Sequence, residues 1–220
     1  MRLDSRRASA VLYRPRRRKK TDMMILRYSA ASPYARKIRI AADLLGLSDR
    51  IEIVAATTAD PNDTLRTQNP LGKIPTLILE DGAALYDSRV IADYLDHVAG
   101  GGKLIPAEPS RRFEALRLQA LGDGINDAAL LIRYETTTRP AALRDPAAIE
   151  LQQGKIDRGL ASLEAAPPSG APDIGHIAVA CALGYLDLRF EGAWRATHPR
   201  LVDWLAEFAK KVPAFDATKA

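Results

Sequence analysis

Three short segments of this chain combine residue types and spacings that could bind and activate a ligand. The first is Ser32-Pro33-Tyr34-Ala35, between an apolar run and an amphipathic one. A dithiol centre at such a place would carry cysteines where Ser32 and Ala35 stand. Thiol–disulfide exchange needs a sulfur nucleophile, so that chemistry is excluded at this step. What remains is a hydroxyl at a helix start, where orphan N–H groups and the helix dipole favour negative charge. Ser32 there is either a plain N-cap or a stabiliser of a thiolate brought from outside. Free thiols have a pKa of about 8.5, which helix N-termini can lower to within about 3.5–7.5. The second segment is Ile74-Pro75. A proline opening a strand is either an ordinary edge residue or a cis bond that leaves the Ile74 backbone free to pair with an extended peptide. The third is Asp87-Ser88. The pair can simply cap a helix. Alternatively, Ser88 and the first helical N–H groups hold a carboxylate, while Asp87 holds an ammonium. Together the three suggest a peptide-like ligand carrying a thiol.

The elements that must position these residues follow from the hydropathy pattern. Residues 24–29 read as a short buried strand, and 51–56 as the next. Between them Ala35, Ile38, Ala41, Ala42 and Leu45 recur at helical spacing, with Arg36, Lys37 and Arg39 on the opposite, polar face. Strand, helix and strand in so few residues imply a right-handed crossover and parallel pairing. Residues 57–70 are polar and read as a loop with at most a short helix. Two apolar runs then flank Asp81-Gly82, a hairpin signal. Val90, Ile91, Tyr94, Leu95 and Val98 follow at helical spacing. The order β-α-β, β-β-α resembles a thioredoxin fold. Beyond 110 only helical patterns remain, at about 110–136, 145–165, 173–190 and 198–211. The expected organisation is a basic disordered extension at 1–22, a thioredoxin-like domain at 23–99, a linker at 100–109 and an all-helical domain at 110–220.

The net charge of +5 is carried by the first residues. Residues 1–20 hold nine Lys and Arg against one acid, which leaves −3 on the other 200. The extension can be read as a nucleic-acid or membrane-surface arm, a transit peptide or a featureless extension, the reading preferred here. The folded body itself gives no sign of a nucleic-acid or membrane partner. The single cysteine, Cys181, forbids an internal disulfide and fits a reducing compartment. The three histidines are widely spaced, so a metal site is not expected.

In this order and spacing, NPLGKIPTLILEDGAALYDS at 69–88 and SPYARKIRI at 32–40 resemble the cytosolic glutathione S-transferase superfamily, from about residue 24 onward. The resemblance implies that Ser32 activates the glutathione thiol, as in serine-type theta- and zeta-like members, with Tyr28 on the first strand as its rival. It implies that Ile74 pairs with the cysteinyl backbone and that Asp87 and Ser88 hold the γ-glutamyl group. Lys73 and Gln68 lie where some members reach the glycyl carboxylate. Tyr34, Arg133 and Tyr134 fall where family members line the pocket for a small hydrophobic electrophile. The implied activity is a cytoplasmic, homodimeric glutathione transferase, with isomerase, dehalogenase and peroxidase variants open, or a catalytically silent binding module on the same fold. At 172–190 the chain resembles the family's buried central helix. Its capping box is expected to be weakened by His176 in place of a carboxylate, and Cys181 is expected to be a packing residue on this helix.

Overall fold

The computed structural model describes residues 23–220; the basic segment 1–22 lies outside them. Strand β1 (Met24–Tyr28) buries Met24 and Leu26 on one face. Helix α1 (Pro33–Leu44) starts with proline at its first position, where the missing N–H costs nothing. Gly46 ends it in the left-handed region, with φ 69°. β2 (Ile51–Ala55) pairs parallel with β1, as the crossover requires. The polar stretch that follows contains only the short α2 (Leu65–Gln68). β3 (Thr76–Ile78) and β4 (Ala84–Leu85) form the expected antiparallel hairpin around Asp81-Gly82. Gly82 supplies the positive φ of 88° that the turn needs. The sheet order is β2-β1-β3-β4, and α3 (Ser88–Val98) follows.

The rest is helical: α4 (Pro109–Thr137), α5 (Pro146–Ala165), α6 (Ile174–Phe190), α7 (Pro199–Lys211) and the short α8 (Ala214–Ala217). The fold is thus a thioredoxin-like unit followed by an all-helical one. Helix α6 is apolar on every side and sits at the centre. It approaches α4 closely at Gly122 and Gly175, where an added Cβ would fall 2.7 Å from α6 and α4 backbone atoms respectively.

One reading of the sequence needs correction. Arg36 and Lys37 are not on a solvated face; Arg36 is 9% exposed and Lys37 0%. Helix α1 is covered by the sheet on one side and by α6 and α8 on the other, so its polar stripe is buried too. The capping box of α6 forms as expected, with Asp173 accepting from the Gly175 and His176 amides and His176 Nδ1 3.4 Å from the Asp173 amide. The return contact is the weak side, because His176 Nδ1 lies closer, at 2.7 Å, to Asp173 Oδ1, to which it donates when it carries a proton.

Candidate functional site

The strand registers bring the three sequence segments to one end of the sheet. In the antiparallel β1–β3 pair Arg27 lies opposite Thr76, so Tyr28 comes opposite Pro75. In the β3–β4 pair Leu77 lies opposite Leu85, which sets Pro75 opposite Asp87. The end of β1, the start of β3 and the end of β4 therefore stand in a row. With neighbouring strands about 4.8 Å apart, the row spans about 10 Å. An extended tripeptide is of the same length, at about 3.3–3.6 Å per residue.

Each position is fixed by local bonds. The Ser32 amide donates to Ser29 O at 3.0 Å, which turns the chain back over the end of β1. Ser32 Oγ then accepts from the Ala35 amide at 3.2 Å as the N-cap of α1. A serine hydroxyl has one donor and two acceptor sites, so this cap leaves its proton free. Ile74–Pro75 is cis, as is Tyr86–Asp87. Among the described residues neither Ile74 backbone group is bonded to another backbone group. Asp87 caps α3 by accepting from the Arg89 amide through Oδ1 at 2.9 Å, and Oδ2 is open. Ser88 is buried, and Lys73 is exposed.

Sequence reasoning missed two supports of this end of the sheet. Asn69, 1% exposed, accepts from the Leu71 amide and donates to Lys73 O and Thr76 Oγ1, so it ties together the turn that presents Ile74. Asn69-Pro70 was a turn signal, but nothing in the sequence named its partners. The second is a buried charge cluster. Lys37 Nζ donates to both Asp123 oxygens at 2.7 and 2.8 Å, and Arg89 Nε reaches Oδ2 at 3.1 Å. Asp123 on α4 thereby holds α1 and α3, the two helices whose N-termini carry Ser32 and Ser88. Gln68 is already committed, accepting from the buried Arg27 at 2.6 Å.

Tyr28 and Ser32 have different surroundings. The Tyr28 ring lies under the Arg39 guanidinium of α1, 5.4 Å from its centroid. Ser32, with Pro33, lines a cavity of about 560 Å³. Its other walls come mainly from α6, α7 and the C-terminal residues, with Leu188, Leu205 and Phe215 beside the charged Arg36, Asp187 and Arg195. Arg36 at its base donates to Phe215 O at 2.5 Å, and Arg195 grips Asp187 at 2.8 and 2.6 Å. Cys181 also touches this cavity but is 1% exposed, and burial pushes its thiol up to about 12.

Tyr34, Arg133 and Tyr134 do not line that cavity. The Tyr34 hydroxyl donates to Asp127 on α4. Burial first, and then Asp127, push its phenol far above the ordinary value, so it stays a donor. Tyr134 lies two turns beyond Asp127 on the same face of α4 and is exposed; Arg133 is half-buried. Tyr185 of α6 links the two regions, since it lines the cavity beside Ser32 and lies near Arg133 and Tyr134. Among the described residues no group of three His, Cys, Asp or Glu could hold a metal, and no helix is long and apolar enough to cross a membrane.

Comparison with known proteins places the fold. Residues 31–98 match the glutathione S-transferase N-terminal domain, and residues 146–207 the C-terminal domain. The GST-like protein YibF of Escherichia coli is 32% identical over 180 residues, covering 79% of this chain and 88% of YibF. A glutathione transferase family member from Pseudomonas fluorescens Pf-5, solved with bound glutathione, is 42% identical. It superposes with a TM-score of 0.83 over 89% of this chain and 98% of its own. The same relative has been solved with S-(propanoic acid)-glutathione, with a TM-score of 0.80, 42% identity and the same coverage.

Proposed function

This chain belongs to the glutathione S-transferase family, and we propose that it binds glutathione across the end of its sheet and activates the thiol at Ser32 for attack on a small electrophile. The observation that carries the reading is the row formed by the α1 N-terminus, the unpaired Ile74 backbone and the Asp87-Ser88 cap. The row is as long as an extended tripeptide. Glutathione lies with its cysteinyl backbone on Ile74 and its γ-glutamyl end on Asp87 and Ser88, with Lys73 free to meet the glycyl carboxylate. Its sulfur then faces the positive end of α1. The Ser32 hydroxyl keeps its acceptor role toward Ala35 and donates its proton to the thiolate. The gain comes from holding the reactants together and from a pre-set positive end, not from a residue of this chain taking part covalently. The two ligands bound to the Pseudomonas relative support a site that tolerates a small substituent on sulfur. The family reading also carries a homodimer, for which exposed Val90 and Phe113 on α3 and α4 are available.

Asp87→Asn tests the assignment, because asparagine keeps the cap on Arg89 and removes only the charge. Calorimetry on the full chain is expected to show glutathione binding weakened by about 1.5–3 kcal/mol, the scale of a charge-assisted hydrogen bond. Unchanged affinity takes Asp87 out of the site. No binding by the unmodified chain overturns the whole reading. Turnover of an aryl halide separates an enzyme from a silent module.

A further inference from the structure

Two guanidiniums near the C-terminal ends of α4 and α6 are not used by anything described so far. The two helices run side by side in the same direction. An added Cβ on Gly175 would lie 2.7 Å from Ala115 O, and one on Gly122 2.7 Å from the Ala178 carbonyl carbon. Carried forward from the nearer of these, Gly122 at Ala178, at the common rise of about 1.5 Å per residue, the pairing brings Arg133 level with Arg189. Tyr185 stands one turn before Arg189 on the same face of α6, and its side chain lines the cavity beside Ser32. Burial raises the Tyr185 phenol, and the Arg189 and Arg133 guanidiniums both oppose that rise.

Neither arginine forms an ion pair among the described residues. Arg189 Nε is buried and has no hydrogen-bond partner. The carboxylates around this corner are engaged elsewhere. Asp127 takes the Tyr34 hydroxyl, Asp187 takes Arg195 and Trp194, and Glu135 takes Arg139 and the Asp145 amide. Glu191, at the C-cap of α6, is exposed. The helix dipole favours one cation in a last turn, which accounts for where Arg189 sits. It does not account for the orphaned buried Nε, nor for Arg133, which precedes the last turn of α4.

We propose that the electrophile served by this site carries a carboxylate, seated on Arg133 and Arg189 beside the Tyr185 hydroxyl while its reactive carbon faces the sulfur at Ser32. The proposal rests on the glutathione reading above.

The test compares three ligands on the full chain by calorimetry: glutathione, S-(4-carboxybenzyl)glutathione and its uncharged amide, S-(4-carbamoylbenzyl)glutathione. The acid conjugate is expected to bind at least about fivefold tighter than the amide, a modest yield for a charge-assisted contact. In the Arg133→Gln/Arg189→Gln double variant the two conjugates should bind within about twofold of each other, with glutathione itself bound as by the unmodified chain. Equal binding of acid and amide by the unmodified chain overturns the proposal, whether or not the double variant folds. Retention of the full preference by a folded double variant overturns it as well. Failure of the unmodified chain to bind glutathione is a different result and removes the reading beneath it.

Discussion

Replacing Ser32 separates a structural role from a chemical one. The hydroxyl already caps α1 through the Ala35 amide at 3.2 Å. Ser32→Ala removes that cap, at a cost of about 1 kcal/mol in stability, or a melting shift of about 2–4 °C for a chain of this size. It also removes the one donor proposed to meet the glutathione sulfur. A hydrogen bond to a charged acceptor is worth about 1.5–3 kcal/mol. Since one pKa unit corresponds to about 1.36 kcal/mol, the bound thiol should rise by roughly one to two units. Turnover near neutral pH should fall roughly ten- to a hundredfold. The defect should vanish at a pH well above the free-thiol value of about 8.5, where sulfur ionises unaided. Ser32→Asp is the deciding companion. Aspartate is as good an N-cap as serine, but it offers no proton and sets a negative charge beside the sulfur. If Ser32 only caps, Ser32→Asp should behave like the unmodified chain. If Ser32 holds the thiolate, Ser32→Asp should be worse than Ser32→Ala while melting no lower. The thiolate ultraviolet absorbance of the glutathione complex, followed against pH, reads the ionisation directly. Should Tyr28→Phe raise the thiol pKa while both Ser32 variants leave it alone, the activating role passes to the tyrosine.

Other substitutions probe the frame around the site. Asp123→Leu leaves Lys37, which is 0% exposed, as an uncompensated buried charge. The expected loss is about 3–5 kcal/mol, or roughly 6–20 °C in melting temperature. Adding Lys37→Met should recover most of it, and a single variant melting within a degree or two of the parent would discredit the cluster as a support. Asp173 is held below the ordinary carboxylate range. Burial alone would raise it, but the His176 side chain and the helix amides outweigh burial. Its contribution to stability is therefore complete above the unfolded value of about 3.9 and is lost as pH falls through the lower folded value. Urea midpoints of Asp173→Ala should decline less steeply with acid than those of the parent over that window; parallel declines would contradict this. Cys181, with its thiol pushed up to about 12 and 1% exposure, should be alkylated only as fast as the protein opens. Rapid labelling under native conditions, measured by mass spectrometry, would show the cavity to be open to solvent at this residue.

What could and could not be read from the sequence divides by the range of the interactions involved. Pro33 at a helix start, Asp81-Gly82 between two apolar runs and Asp87 before α3 act within a few residues of themselves, and each is found where its local chemistry put it. Pro75 belongs with them, and the strand registers then bring these punctuating residues into one row. Lys37 shows where such reading stops. Helical periodicity assigns it to a polar face, which is correct for an isolated helix on a sheet. Its burial depends on Asp123, 86 residues away, on a helix that covers that face only in the assembled fold. Nothing in the α1 segment encodes the presence of α4. The same holds for Asn69, whose three bonds within eight residues look from the sequence like any turn asparagine. His176 was read correctly, because the choice between an amide at 3.4 Å and a carboxylate at 2.7 Å is made within one helical turn. The turns and caps that form the row at the end of the sheet were therefore legible. The surroundings of Tyr34 and Arg133 were not, because Asp127, Tyr185 and Arg189 come from helices whose register is set by two glycine contacts between α4 and α6. The determinants of the proposed electrophile preference therefore lie on α4 and α6, and substitution there tests them more directly than substitution in the motifs that identify the fold.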